Sequence, residues 1–213
     1  MSRYETEDEQ LEQLKSWWKK NGTQLLSVVL VATVAYSGWT YYSNSKYVAS
    51  ANASATFEIL QNQYNNGTFS EVSREALKLM QEQPESPYAI SAALLYAKYS
   101  YDKGEYESAI EQLDWVQTHT QDAELKAIAQ MRRAETQLQM GNSELALESL
   151  QSISTPQLGQ AIQAQVDYKI GVVALTLTQL DAARSAFEKV VNNAQVDESL
   201  KGLAQLQLND LTS

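Results

Sequence analysis

The chain is 213 residues long, carries a formal charge of −10 and has no cysteine. Disulfides, thiolate metal sites, lipid-modified cysteines and cysteine nucleophiles are therefore excluded. Most of the negative charge lies beyond residue 43 with no basic stripe among it, which argues against nucleic acid or anionic lipid headgroups as ligands.

The first predicted segment is a tail, residues 1–21, holding Arg3, Lys15, Lys19 and Lys20 beside Glu5, Glu7, Asp8, Glu9 and Glu12. A span, 22–43, follows; no charge occurs between Lys20 and Lys46. Its apolar core, Leu25 to Tyr42, is about 27 Å long as a helix at about 1.5 Å per residue, which suits the hydrocarbon layer of a bilayer. Trp17, Trp18, Lys19 and Lys20 on one side, and Trp39, Tyr41 and Tyr42 on the other, are the expected interface anchors, since amphipathic rings favour the headgroup regions. Lysine and arginine set orientation, so the tail is expected to be cytoplasmic and residues 44–213 translocated. Ala49-Ser50-Ala51 and Ala51-Asn52-Ala53 fit a signal-peptide cleavage pattern. The apolar core exceeds the usual length of about 7–15 residues, however, so an uncleaved anchor is the expectation. The aromatic and lysine flanks argue against a buried core helix.

After residue 43, Gly and Pro are scarce and Ala, Leu, Gln and Glu abundant, which predicts an all-α domain. Gly67, Gly104 and Gly141 recur at intervals of 37, with Thr178 at the next step. Ala109, Ala146 and Ala183 share that register and are followed four residues on by Leu113, Leu150 and Phe187. A small residue followed by a large one at i and i+4 lets two helices approach closely and fills the hole beside the contact. The pattern resembles the tetratricopeptide repeat. Ala183-x₃-Phe187 and Ile170-Gly171 match its signature, Ala97 and Ala134 supply the small first-helix residue, and Pro84 falls at the proline position. The consensus Trp and first-helix Tyr are missing, and Val72 stands where alanine belongs; the rival reading is a generic helical bundle. Helix pairs are expected at about 50–81, 88–118, 123–153 and 160–193, with a capping helix at 198–211 closing the end of the solenoid. The span is expected to run into the first helix with little linker.

No catalytic constellation is found. The single histidine, His119, has no partners at metal or triad spacing, acid pairs such as Glu105 and Glu107 suit helix starts, and phosphate-binding glycine loops are missing. No enzymatic activity and no metal or other cofactor are expected. The better question is binding. The first helix of each repeat lines the concave face, and that register selects Phe57, Tyr64, Leu94, Lys98, Tyr101, Ile128, Met131, Leu138, Tyr168, Val172 and Leu175. The line is apolar and aromatic with Lys98 its main cation, and reads as a groove for a segment of another polypeptide. The same residues suit a core equally well, because periodicity does not separate groove from core.

The tail YETEDEQLEQLKSWWKKNG, the span end with Gly38, Trp39, Tyr41 and Tyr42, and the closing LQLNDL together resemble the YfgM-type family of ancillary SecYEG translocon subunits. The resemblance covers essentially the full chain. It implies a single-pass protein of the bacterial inner membrane, N-terminus inside, with a periplasmic tetratricopeptide-like domain. It also implies association with SecYEG and with a membrane-bound periplasmic chaperone of the prolyl-isomerase type. The functional expectation is a membrane-tethered adaptor that holds secretory polypeptides or chaperones beside the translocon exit. The alternative is a repeat scaffold in cell-envelope assembly or division.

Overall fold

A computed structural model describes residues 3–66, 68–153 and 158–211, with side chains described from residue 10 onward. The first turn glycine of the repeat, Gly67, and the side chains of Arg3, Glu5, Glu7, Asp8 and Glu9 lie outside the described residues. Every regular element among the described residues is helical. The helices are α1 (Arg3–Asn66), α2 (Phe69–Glu82), α3 (Pro87–Asp102), α4 (Tyr106–His119), α5 (Ala123–Gln139), α6 (Ser143–Gln151), α7 (Gln160–Thr176), α8 (Leu180–Asn192) and α9 (Glu198–Asp210). The chain divides into two units, Met1–Ala51 and Asn52–Ser213.

In the first unit, α1 is long and apolar enough to cross a membrane, and none of its most apolar stretch is buried. The hydroxyls of Ser27, Thr33 and Thr40 donate to the carbonyls of Thr23, Val29 and Tyr36 at 2.8, 2.8 and 3.0 Å. Each polar group is thereby satisfied within its own helix, as hydrocarbon surroundings require. Trp17, Trp18, Lys19, Lys20, Trp39, Tyr41 and Tyr42 are all exposed. Gly22 packs against the Trp18 indole, and Lys46 Nζ lies 4.8 Å from the centre of the Tyr42 ring.

The second unit is a tetratricopeptide-like α-solenoid. The end of α1 shares an apolar cluster with α2 and α3, α3 pairs with α4, α5 with α6 and α7 with α8, and α9 packs on α8 as a cap. Local chemistry sets the helix starts. Thr68 and Glu71 form a reciprocal capping box at α2. Ser86 caps α3 ahead of Pro87, and Asp122 accepts from the amides of Glu124 and Leu125 at α5. These side chains satisfy amides that have no partner inside the helix. Four apolar clusters follow one another along the solenoid, centred on Leu60 and Tyr96, Leu113 and Val116, Leu150 and Val166, and Phe187 and Val190.

The 37-residue period is a turn repeated in space. Glu105, Asn142 and Gln179 donate their amides to the carbonyls of Ser100, Gln137 and Ala174, each at 2.9 Å. The intervening residues Gly104, Gly141 and Thr178 have φ of 80°, 81° and 57°. A left-handed residue thus closes α3, α5 and α7 and aims the chain into the helix that follows. Glycine adopts that conformation without a Cβ penalty, whereas a β-branched residue is strained there. Thr178→Gly should therefore stabilise the fold by about 1 kcal/mol, and Gly104→Ala or Gly141→Ala should destabilise it by a similar amount. Thermal melts of the three variants check both signs.

Candidate functional site: the first-helix face

Along α3, α5 and α7 the first-helix register exposes two adjoining clefts. The first, about 240 Å³, is lined by Ala97, Lys98, Tyr101, Asp102, Leu113, Arg132, Glu135 and Thr136. The second, about 140 Å³, is lined by Met131, Ala134, Glu135, Leu138, Leu150, Tyr168, Lys169, Val172 and Val173. Glu135 borders both, so the two form one row.

Apart from Met131, the structure sorts the sequence-derived line into three groups. Lys98, Tyr101, Leu138, Tyr168 and Val172 line the clefts. Phe57 and Tyr64 are half-buried against the first apolar cluster, their rings 5.9 Å from Tyr88 and 5.6 Å from Tyr99. Leu94, Ile128 and Leu175 are half-buried packing residues of the later clusters. Met131 is both groove and core: it lines the second cleft, yet it is only 4% exposed and packs with Ala134, Leu150, Val166 and Val173, so it forms the buried floor of that cleft. Its place in the period is the same as that of Leu94 and Tyr168, and only tertiary packing distinguishes it.

The line is also more charged than its apolar reading. Arg132 and Lys169 join Lys98, and Asp102 and Glu135 stand between them. Lys98 Nζ donates to Asp102 Oδ2 at 2.7 Å, the Tyr64 hydroxyl donates to the same oxygen at 3.0 Å, and Lys169 is paired with Glu135. Glu135 was findable from spacing, since it lies 37 residues after Lys98 and 37 before Val172. Arg132 is one position off that register and reaches the cleft through its long stem.

The ion pair beside the first cleft titrates in a defined direction. Hydrogen bonding from Lys98, then from Tyr64, holds the Asp102 carboxyl below the usual carboxylate range, and the same bond raises Lys98. Burial, then the Glu135 charge, raises Tyr101. A lowered folded pKa means that the contribution of Asp102 is present above its unfolded pKa and is lost as pH falls through the folded value. Asp102→Asn should therefore flatten the acid limb of the stability curve and leave the neutral region nearly unchanged, because the pair is well exposed. Urea melts across acidic pH read this directly.

His119 is the last residue of α4, exposed and stacked on Trp115 with ring centres 3.9 Å apart. Among the described residues no three His, Cys, Asp or Glu side chains are grouped to hold a metal ion.

Successive helix pairs, small-to-large contacts at the pair crossings and a continuous first-helix face define a helical-repeat protein of the tetratricopeptide class. Residues 15–213 match the family described as tetratricopeptide repeat-like domain. Two crystal structures of MamA share this fold. One has 20% identity and a TM-score of 0.52 over 75% of this chain and 86% of that one. The other has 23% identity and a TM-score of 0.50 over 72% and 87%. Three curated relatives carry the description "Ancillary SecYEG translocon subunit". That of Escherichia coli K12 is 28% identical across 100% of both chains. That of Haemophilus influenzae is 27% identical over 96% of this chain and 97% of its own. That of Neisseria gonorrhoeae is 30% identical over 70% and 72%. The chain belongs to the family of ancillary SecYEG translocon subunits.

Proposed function

We propose that this protein is a single-pass inner-membrane subunit that associates with the SecYEG translocon and offers its first-helix face to polypeptides leaving the channel. Family membership along the whole chain is the observation that carries the translocon association. The open row of clefts supports the binding role. The protein acts by holding and has no chemical step of its own. Tethering supplies the physical advantage: confinement near the exit raises the effective concentration of the binding surface, so individually weak contacts suffice. A membrane-bound periplasmic chaperone of the prolyl-isomerase type is a second partner on this reading.

The tail is assigned to the cytoplasm and the repeat domain to the periplasm, on the lysines at 15, 19 and 20. Because the chain has no cysteine, a single cysteine at the exposed position Ser54 reports orientation cleanly. It should react with a membrane-impermeant maleimide in intact spheroplasts, and reaction only after lysis would reverse the assignment. Affinity capture from detergent-solubilised membranes tests the function. SecYEG and a prolyl-isomerase-type chaperone should be recovered together with the protein. Recovery of division or envelope-assembly proteins without SecYEG would instead establish the scaffold alternative.

A further inference from the structure

In the row of clefts, four of the five charged side chains neutralise one another in pairs. Lys98 holds Asp102 and Lys169 holds Glu135. The fifth, Arg132, lines the first cleft, and among the described residues its hydrogen bond is a long 3.5 Å contact from Nη1 to the Leu94 carbonyl. Its neighbour Arg133 shows how this fold engages a structural arginine: its Nε lies 3.0 Å from Asp114 Oδ1 and its Nη1 3.3 Å from Ser149 Oγ. Among the described residues Arg132 has no carboxylate in ion-pair contact. A half-buried guanidinium loses hydration without recovering it from a partner, so it favours an incoming anion. This is the single unbalanced positive charge of the row, in a chain whose net charge is −10.

The position of the cleft defines the ligand further. The first-helix face continues past it in both directions, toward Tyr64 on one side and toward Leu138, Tyr168 and Val172 on the other. A chain lying along that face therefore passes through the Arg132 cleft and does not end in it. The next site along the row is apolar apart from the paired Glu135 and Lys169.

We infer that the Arg132 cleft reads an internal acidic side chain of an extended polypeptide, with an apolar side chain of the same segment seated in the adjoining Leu138–Val172 cleft. This rests on the reading of the first-helix face as a polypeptide-binding surface and adds a sequence preference to it. The bound carboxylate accepts from the Arg132 guanidinium, while the Lys98–Asp102 pair and Tyr101 wall the cleft.

The test uses the full chain in nanodiscs and a short amidated, fluorescent peptide carrying one Glu between leucines. A Gln twin, and a Gln twin with a free terminal carboxylate, serve as comparisons. The Glu peptide should bind about tenfold more tightly than its Gln twin, the scale of one charge-assisted hydrogen-bonded contact. Arg132→Gln should bind both amidated peptides equally, at the level of the wild-type chain with the Gln twin. Arg132→Lys should retain part of the preference, and thermal melts establish that both variants are folded. Equal affinity for Glu and Gln peptides in the wild-type chain would overturn the inference while leaving the binding surface intact. So would a preference that survives Arg132→Gln, or tighter binding of the free-carboxylate twin. Absence of binding by any peptide would remove the polypeptide-binding reading itself.

Discussion

Phe187→Ala should destabilise the repeat domain by about 3–5 kcal/mol, the usual cost of removing a fully buried aromatic ring. In a domain of this size that lowers the melting temperature by on the order of 10 °C. Phe187 is 0% exposed and fills the space between α7 and α8, its ring 5.6 Å from that of Tyr168. The opposite wall of that space is Gly171. A Cβ added there would lie 2.6 Å from Phe187 Cε1 and 2.7 Å from Cζ, closer than any real contact. Gly171→Ala should thus cost about 1–3 kcal/mol through overpacking, although alanine favours a helix more than glycine does. The two sites share one volume, so their effects should not add. Gly171→Ala combined with Phe187→Leu should lose less stability than the two single changes together. Denaturant melts of the four proteins measure the coupling, and simple additivity would mean that the ring and the glycine do not constrain each other.

Met131→Glu should be the other severe substitution, costing upwards of about 4 kcal/mol because it places an unpaired carboxylate among buried methyl groups. The introduced group escapes by staying protonated, so its folded pKa is raised above the unfolded value. With a raised pKa the stability is highest below the unfolded pKa and is lost as pH rises through the folded one. The variant should therefore become more stable on mild acidification while the parent does not. Leu138→Glu, at a half-buried position lining the second cleft, should cost about 1 kcal/mol, within the ordinary range for single substitutions. Circular dichroism melts at neutral and mildly acidic pH separate the two behaviours. Equal, small losses for both would mean that Met131 is not a core residue.

The contrast between those two residues marks where the sequence stops being informative. The class of fold was legible because its signals are local or periodic. The uncharged stretch from Asn21 to Ser45 needs no tertiary context to be recognised as apolar. The turns at Gly104 and Gly141 need glycine for a reason visible in backbone geometry alone. Thr178 keeps that register, and its positive φ shows that the turn is imposed by the packing of α7 on α8 even where the residue resists it. The Ala183–Phe187 pair and Gly171 similarly announce a close crossing. The site was less legible. Leu94, Met131 and Tyr168 occupy one register position, yet Met131 is the buried floor of a cleft while Tyr168 is its half-buried wall, since neighbouring helices decide how far each side chain is covered. Of the charged residues only Lys98 was legible; the others were missed because Asp102 and Glu135 break a mainly apolar line, and because Arg132 and Lys169 reach it through long stems from adjacent positions. Whether a charge is spent in a pair, as at Lys169, or left unspent, as at Arg132, depends on contacts between residues more than thirty positions apart.

Site-specific photocrosslinking in intact membranes, during active secretion, tests the central claim most directly. A photoreactive residue at Leu138 or Val172, on the first-helix face, should form adducts with exported polypeptides. The same residue at Leu145, exposed on α6, should form few. The Leu138 adducts should fall when translocation is blocked, because the substrate then no longer reaches the face. Adducts of equal strength at Leu145 and Leu138, or adducts indifferent to the block, would contradict a translocon-linked polypeptide-binding surface.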